Sequence, residues 1–207
     1  MALVAALKTL LHRYLHQEDL RVATLVANRN RAGTAGLIGP LVNTVILRTD
    51  LGGDPSAREV LRRVRATTLA AFAHQDLPFE VLSETLERER GLKPTTLAPV
   101  MIQLHNAGLR SITNAAGILT FEEANPGMQV HPVTATTFDV LLMLHENVHG
   151  LTGSCVYKPH LFGAKAVDGL LRDFQSVLEQ MVSRPERPIS AIRVPLNEKR
   201  RIRHFAA

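Results

Sequence analysis

The sequence predicts an α/β sandwich in which helices flank a mixed sheet. Segments with apolar residues at helical spacing are interspersed with segments rich in β-branched residues. These segments do not follow a regular βαβ alternation, which favours a mixed sheet over a purely parallel one. The hydrophobic fraction of 45% and charged fraction of 21% are ordinary for a globular protein, and 207 residues can bury one substantial core.

The first part of the chain predicts a helix followed by two strands. Apolar residues at i, i+3, i+4 and i+7 spacing predict a helix over residues 3–16. Residues 20–27 and 41–49 are rich in β-branched and other apolar residues and predict strands. A polar loop with Gly33 and Gly36 connects them.

A long helix is predicted to follow the second strand. Asp54 can cap its N-terminus, and Pro55 suits the first helical position because no N–H partner is needed there. The helix reaches about Ala73, and Glu59 and Arg63 have the spacing of an i,i+4 ion pair.

The remaining chain alternates a helix, further strands and a last long helix. A helix is predicted from Pro78 to about Glu89. Helical spacing also predicts a final helix over residues 163–183, which Pro185 and Pro188 stop. The predicted strands and short extended pieces cover residues 99–105, 118–122, 128–132, 137–145 and 150–157, the last pairing with 137–145 through a turn.

Charge and composition argue against several classes of protein. The net charge is +5, but the basic residues are dispersed outside a short cluster at 199–203, and with no Trp and two Tyr the chain offers little for base stacking, so no nucleic-acid partner is expected. No apolar run reaches membrane-spanning length, and no membrane partner is expected. Cys155 as the single cysteine favours a reducing compartment, and a cytoplasmic protein is expected.

Two segments carry a resemblance to a known family. Residues 38–48 read IGPLVNTVILR and resemble the motif (I/V)GxFVNTxxxR, while residues 74–80 read HQDLPFE and resemble (H/N)QDxPFE. Both motifs belong to the condensation domains of non-ribosomal peptide synthetases. Their order, together with flanks at 26–31, 138–141 and 156–162, extends the resemblance over essentially the whole chain.

The chain departs from the family at two places. The family motif RDxSRxPLFQV corresponds to residues 90–100, which read RGLKPTTLAPV and lack its acidic, serine and phenylalanine positions. Pro40 stands where the first motif usually has Phe.

The resemblance implies a chloramphenicol acetyltransferase-like sandwich. In the family two such subdomains form a V around a substrate tunnel, and this chain resembles the C-terminal one. We therefore expect a C-terminal condensation subdomain over residues 1–195. Residues 196–207, which include LNEKR at 196–200, resemble the start of a linker toward an adenylation domain.

The implied reaction is amide-bond formation between carrier-bound aminoacyl or peptidyl thioesters. The family's HHxxxDG motif lies in the N-terminal subdomain, where a histidine orients or deprotonates the attacking amine. Here the Asp168-Gly169 pair has Ala164 at the position of the second histidine, and the motif occurs nowhere in the 207 residues. We expect a chain without catalytic residues of its own and inactive alone. The alternative is a non-catalytic scaffold or docking module.

Family roles fall on a few polar residues. The resemblance implies that an arginine of this half pairs with the HHxxxDG aspartate, with Arg29 the best match and Arg48 the runner-up; the alternative is that both are surface arginines. Asn43 and Thr44 are predicted to face the tunnel, or else to be hydrogen-bonded sheet residues.

The second motif contributes the other three predicted tunnel residues, His74, Gln75 and Asp76. For these the favoured interpretation is structural, with Asp76 or His74 capping the next helix.

One competing motif points to metal chemistry. Residues 145–149 read HENVH and match the zinc-protease pattern HExxH, which requires both histidines on one helical face. The flanking residues predict a β-hairpin instead, so no metal site is expected. Cys155 is predicted to be a small core residue rather than a nucleophile.

The resemblance also implies partners. The substrates travel on the phosphopantetheine arm of a peptidyl carrier protein, and no cofactor is expected to bind this chain directly. The long excursion at 107–136 matches a segment that crosses between subdomains. We therefore expect pairing with an N-terminal condensation subdomain, or self-association.

Overall fold

The computed structural model describes residues 1–30, 32–34, 36–92, 97–105, 128–133, 137–147 and 150–194. The predicted piece at 118–122, most of the excursion at 107–136 and the predicted linker at 196–207 lie outside the described residues.

A six-stranded mixed sheet forms the centre of the fold, in the order β2-β1-β3-β5-β6-β4. The β1–β2 and β5–β6 pairs are antiparallel, and the β1–β3, β3–β5 and β4–β6 pairs are parallel. The predicted mixed sheet is confirmed. The strands are β1 (Asp19–Val26), β2 (Asn43–Asp50), β3 (Val100–His105), β4 (Met128–Pro132), β5 (Val140–Asn147) and β6 (Gly150–Tyr157).

Four helices and a short 3-10 helix complete the described chain. They are α1 (Ala2–Leu15), α2 (Ala57–Ala73), α3 (Phe79–Arg90), α4 (Ala164–Ser183) and the 3-10 turn Ile189–Ala191. None of the described helices is long and apolar enough to span a bilayer.

The start of α2 differs from the prediction. Ser56, not Asp54, is the N-cap, and its hydroxyl accepts a hydrogen bond from the Glu59 N–H at 3.2 Å. The predicted capping role of Asp54 is wrong, because its carboxylate accepts hydrogen bonds from the backbone N–H and hydroxyl of Ser190, at 2.8 and 2.6 Å. The predicted Glu59–Arg63 pair is confirmed at 2.9 Å.

The main core lies between one face of the sheet and helices α1, α2 and α4. Leu7 and Leu10 of α1, Val60 and Val64 of α2 and Val177 of α4 are almost completely buried there. In addition, the Tyr14 hydroxyl of α1 donates to Asp173 Oδ2 of α4 at 2.6 Å, which gives a buried polar tie between these helices.

The opposite face of the sheet, here called the second face, carries the alternate strand residues. Its smaller cluster consists of Ala23, Ala98 and Met101, with Leu25, Ile46, Phe138 and Leu141 packed against it, and contains no residue of α1–α4. Many of its described side chains are only half-buried. The second face is therefore the less completely covered side of this half-sandwich.

Candidate functional site

The β1–β2 register determines where the first motif points. Asn43 pairs with Val26 and Thr44 with Leu25, at the carboxyl end of β1. Because side chains alternate along a strand, Asn43 lies on the helical face and Thr44 on the second face. The two predicted tunnel residues therefore lie on opposite sides of the sheet.

Asn43 joins the two sequence motifs. Its Nδ2 group donates to the backbone carbonyls of Gln75 and Leu77, each at 2.7 Å, and its Oδ1 accepts from the Phe79 N–H at 3.0 Å. The residue is 9% exposed, so these bonds satisfy a largely buried amide. Its side chain therefore positions the backbone of the second motif, in agreement with the hydrogen-bonded alternative.

His74, Gln75 and Asp76 form the connection between α2 and α3. His74 is the C-cap of α2, and its N–H donates to the Ala71 carbonyl at 3.1 Å. The predicted cap of α3 by Asp76 or His74 is wrong: Pro78 is its N-cap, with no side-chain cap bond, and Asn43 accepts the Phe79 N–H. Sequence reasoning missed this cap because it comes from a residue 36 positions away.

Arg29 organises the loop that precedes the first motif. Its Nη1 group donates to the carbonyls of Thr34 and Leu37 at 2.7 and 2.8 Å, and its Nη2 group to the Gly39 carbonyl at 3.1 Å. Among the described residues these bonds use three of the five guanidinium donors. Arg29 follows β1 directly and thus lies at the same end of the sheet as Asn43.

Arg48 lies toward the other end of β2, opposite Arg21 of β1. Its guanidinium binds both carboxylate oxygens of Asp19, with Nε at 2.9 and 3.0 Å and Nη2 at 2.8 Å. The Arg48 hydrogen bond holds the pKa of Asp19 below its ordinary value. The structure therefore does not bring Arg48 together with Arg29, and it gives Arg48 a carboxylate partner within this chain.

A histidine pair lies on the second face at the carboxyl ends of β3 and β5. His105 and His145 are register partners, and their rings stack with centroids 4.8 Å apart and planes 13° apart. Burial, and then the proximity of His145, lower the pKa of His105 below its ordinary value. Sequence reasoning missed this pair because the two residues are distant in the chain and meet only through the β3–β5 register.

The HExxH pattern falls on the predicted β-hairpin. His145 and Glu146 belong to β5 and pair with Thr152 and Leu151 of β6, while His149 lies outside the described residues. In the described part of the chain, no group of three or more His, Cys, Asp or Glu side chains is arranged to hold a metal ion. The helical geometry that the zinc-protease motif requires is therefore not present at His145 and Glu146.

Cys155 belongs to the main core, as predicted. It is completely buried, and burial raises the pKa of its thiol to about 12. At neutral pH the group is a thiol, which is a poor nucleophile.

The comparisons identify the class of this half-sandwich. The X-domain from teicoplanin biosynthesis has a TM-score of 0.78 and 29% identity, covering 94% of this chain and 43% of that chain. The first condensation domain of the calcium-dependent antibiotic synthetase has a TM-score of 0.75 and 19% identity, covering 94% and 42% respectively. The fold is thus that of the chloramphenicol acetyltransferase-like condensation domains.

The family model for the condensation domain matches residues 1–202. A linear gramicidin synthase of Brevibacillus parabrevis is 43% identical over 95% of this chain, and a surfactin synthase of Bacillus subtilis (strain 168) is 32% identical over 96%. The chain therefore belongs to the condensation-domain family of non-ribosomal peptide synthetases. It spans only 4% and 5% of the lengths of these two relatives.

Proposed function

We propose that this chain contributes the C-terminal half of a condensation site, where an amine on one carrier protein attacks a thioester on another. The observation that carries the proposal is coverage: 94% of the chain aligns with 42–43% of the solved condensation and X-domains. A chain of that extent supplies one wall of a two-subdomain tunnel. Because HHxxxDG does not occur in its sequence, the proposed chain is inactive alone.

The proposed partner is an N-terminal condensation subdomain. Support comes from the loop held by Arg29, in which Leu37 and Ile38 are 53% and 104% exposed. Val42, just before β2, is 57% exposed. Apolar side chains this exposed at one end of a sheet are typical of an interaction surface, and the half-covered second face begins at the same end.

Arg29 is the proposed support for the partner's HHxxxDG aspartate. The described loop carbonyls leave two of its five donors, enough for a carboxylate. Arg48 stays the runner-up, since its carboxylate partner is already Asp19.

The tunnel roles are proposed for the end of the sheet that carries the first motif. Thr44, on the second face, is proposed to line the tunnel. Asn43 is proposed to act on the tunnel from behind, by fixing the backbone of Gln75 and its neighbours, and His74 and Asp76 are proposed to contribute from that connection.

The proposed substrates arrive on the phosphopantetheine arms of peptidyl carrier proteins. No cofactor bound directly to this chain is part of the proposal. The alternative, a docking module that binds a carrier protein or a separate N-terminal half without supporting catalysis, is favoured by the altered sequence at 90–100, where family positions are lost.

Binding to an N-terminal subdomain tests the proposed interface. Sedimentation velocity of this chain mixed with such a subdomain should give a one-to-one complex, and Ile38→Asp should weaken it at least tenfold. Val182→Asp is the matched control, because Val182 is 72% exposed on α4, away from this loop. Strictly monomeric behaviour of both components in the mixture would contradict the proposed partner; a homodimer that Ile38→Asp dissociates would replace it with self-association.

A further inference from the structure

The β1–β3 ladder is unusually short. It has a single register pair, Ala23 with Met101, although β1 continues to Val26 and β3 to His105. Parallel strands that stop pairing while both continue must separate, and the gap between them needs other groups to fill it. The carboxyl ends of β1 and β3 therefore diverge at the end of the sheet where Asn43 joins the two motifs.

A cavity of about 520 Å³ occupies this gap. Thr24 and Leu25 line it from β1, and Ile102 and Leu104 from β3. Leu3 and Val4 of α1 and Phe72 of α2 close the helical side. This volume falls within the range of small-molecule sites in proteins.

The polar groups of the cavity are concentrated on the side that continues into the second face. Gln103 and His105 both line the cavity, with Gln103 Oε1 and His105 Nε2 3.2 Å apart. Gln103 Nε2 donates to the Met101 sulfur at 3.1 Å, a weak acceptor that a better one can replace. His105 stacks on His145, which fixes its ring. An aliphatic interior with a few polar groups at one side suits an apolar chain attached to a polar head.

We propose that this cavity binds the aliphatic chain of an acyl or aminoacyl thioester, and that Gln103 and His105 hydrogen-bond its polar head group. The proposal rests on the proposed function and adds to it a preference for aliphatic substrates. Val42, which lines the same cavity, belongs to the first motif, so the cavity adjoins the segment that we place at the tunnel.

The test uses the full chain and soluble thioesters of N-acetylcysteamine. Isothermal titration should show binding of the hexanoyl and norleucyl thioesters and much weaker binding of the acetyl thioester, by about fourfold for each methylene removed. Comparing hexanoyl with norleucyl thioesters distinguishes a fatty acyl from an aminoacyl source. Undetectable binding of both long-chain thioesters would overturn the proposal.

Two variants change the size of the cavity in opposite directions. Ala27 is an exposed lining residue, and Ala27→Phe should weaken hexanoyl binding at least tenfold. Ala70→Phe, on the exposed side of α2 and outside the cavity, is the matched control and should bind normally. Phe72→Ala enlarges the cavity and should shift the preferred acyl chain toward octanoyl.

The outcomes separate this proposal from the proposed function. If Ala27→Phe and Phe72→Ala both keep the wild-type chain-length preference while their thermal unfolding is unchanged, the cavity is not the binding site, whatever the result of a condensation assay. If the variants shift binding as expected but no condensation can be reconstituted, the cavity proposal stands and the proposed function fails.

Discussion

Lys8 places an amino group in the core between α1 and the β1–β2 ladder. Its side chain is completely buried, and Nζ donates to the carbonyls of Leu47 and Leu20 at 2.6 and 3.2 Å and to Thr49 Oγ1 at 2.7 Å. Burial lowers the pKa of Lys8 to about 7, and the charge of Asp19 opposes this only in part. Three oxygen acceptors match three N–H donors, so the group is satisfied without a contacting carboxylate.

This lysine makes stability depend on pH. Because its pKa is about 7 in the folded chain and 10.5 ordinarily, the unfolded chain binds more protons between these values. The free energy of unfolding should therefore rise with pH between about 7 and 10, by up to about 1.4 kcal/mol per pH unit from this group. Urea denaturation at pH 7.0 and 9.5 should show the rise in the native chain.

Two variants isolate the lysine's share of that pH dependence. Lys8→Met should reduce the slope, while the exposed-site control Lys165→Met should keep it. An unchanged slope in Lys8→Met would show that Lys8 is charged throughout this range.

The stacked histidines give a second prediction at this scale. His145→Gln removes a neighbouring charge and opens the packing around His105, and both effects should raise the pKa of His105 toward its ordinary value. A ¹H–¹³C NMR titration of the imidazole signals measures this pKa. His160→Gln, at an exposed histidine elsewhere, should leave it unchanged. A His105 pKa that is the same in His145→Gln and the native chain would refute the assigned cause.

At the scale of elements, Asn43 explains how two distant motifs form one structure. Its amide binds the α2–α3 connection at three points, so the start of β2 and the start of α3 depend on the same side chain. Asn43→Ala leaves two carbonyls and one N–H without this partner and should lower the free energy of unfolding by about 3 kcal/mol. It should also speed hydrogen exchange at Phe79. Asn30→Ala, in the exposed loop after β1, is the control; equal stability of both variants would contradict the structural role of Asn43.

The sequence allowed every described strand and α-helix to be predicted, with ends displaced by a few residues, because hydrophobic periodicity and proline positions are local signals. It did not predict the N-cap Ser56, since Asp54 is an equally good capping residue and only its bond to distant Ser190 removes it from that role. The His105–His145 stack and the β1–β3 gap were missed for a related reason. Both arise from strand register, which a single sequence does not specify.

Functional residues were predictable only as far as the motifs reach. The motifs placed Arg29 and Asn43 at one end of the sheet. The side-chain alternation along β2, and the Asp19 partner that Arg48 acquires across the ladder, became apparent only in three dimensions.

At the scale of the whole molecule, three features point to the same end of the sheet. The exposed loop around Ile38, the ends of β1 and β3 with their cavity, and the Asn43-bound connection all lie there. The half-covered second face begins at the same place. This arrangement is what a chain would need if it supplied one wall of a tunnel and a partner supplied the other.

Reconstituted condensation tests this account most directly. Aminoacyl carrier proteins are incubated with this chain, with an N-terminal condensation subdomain carrying HHxxxDG, or with both, and the dipeptidyl carrier protein is quantified by mass spectrometry. We predict product only when both halves are present, and its loss when the second histidine of the supplied half is changed to Ala. Product formed by this chain alone, or no product from the mixture despite a stable complex, would contradict the claim that it is one half of a condensation site.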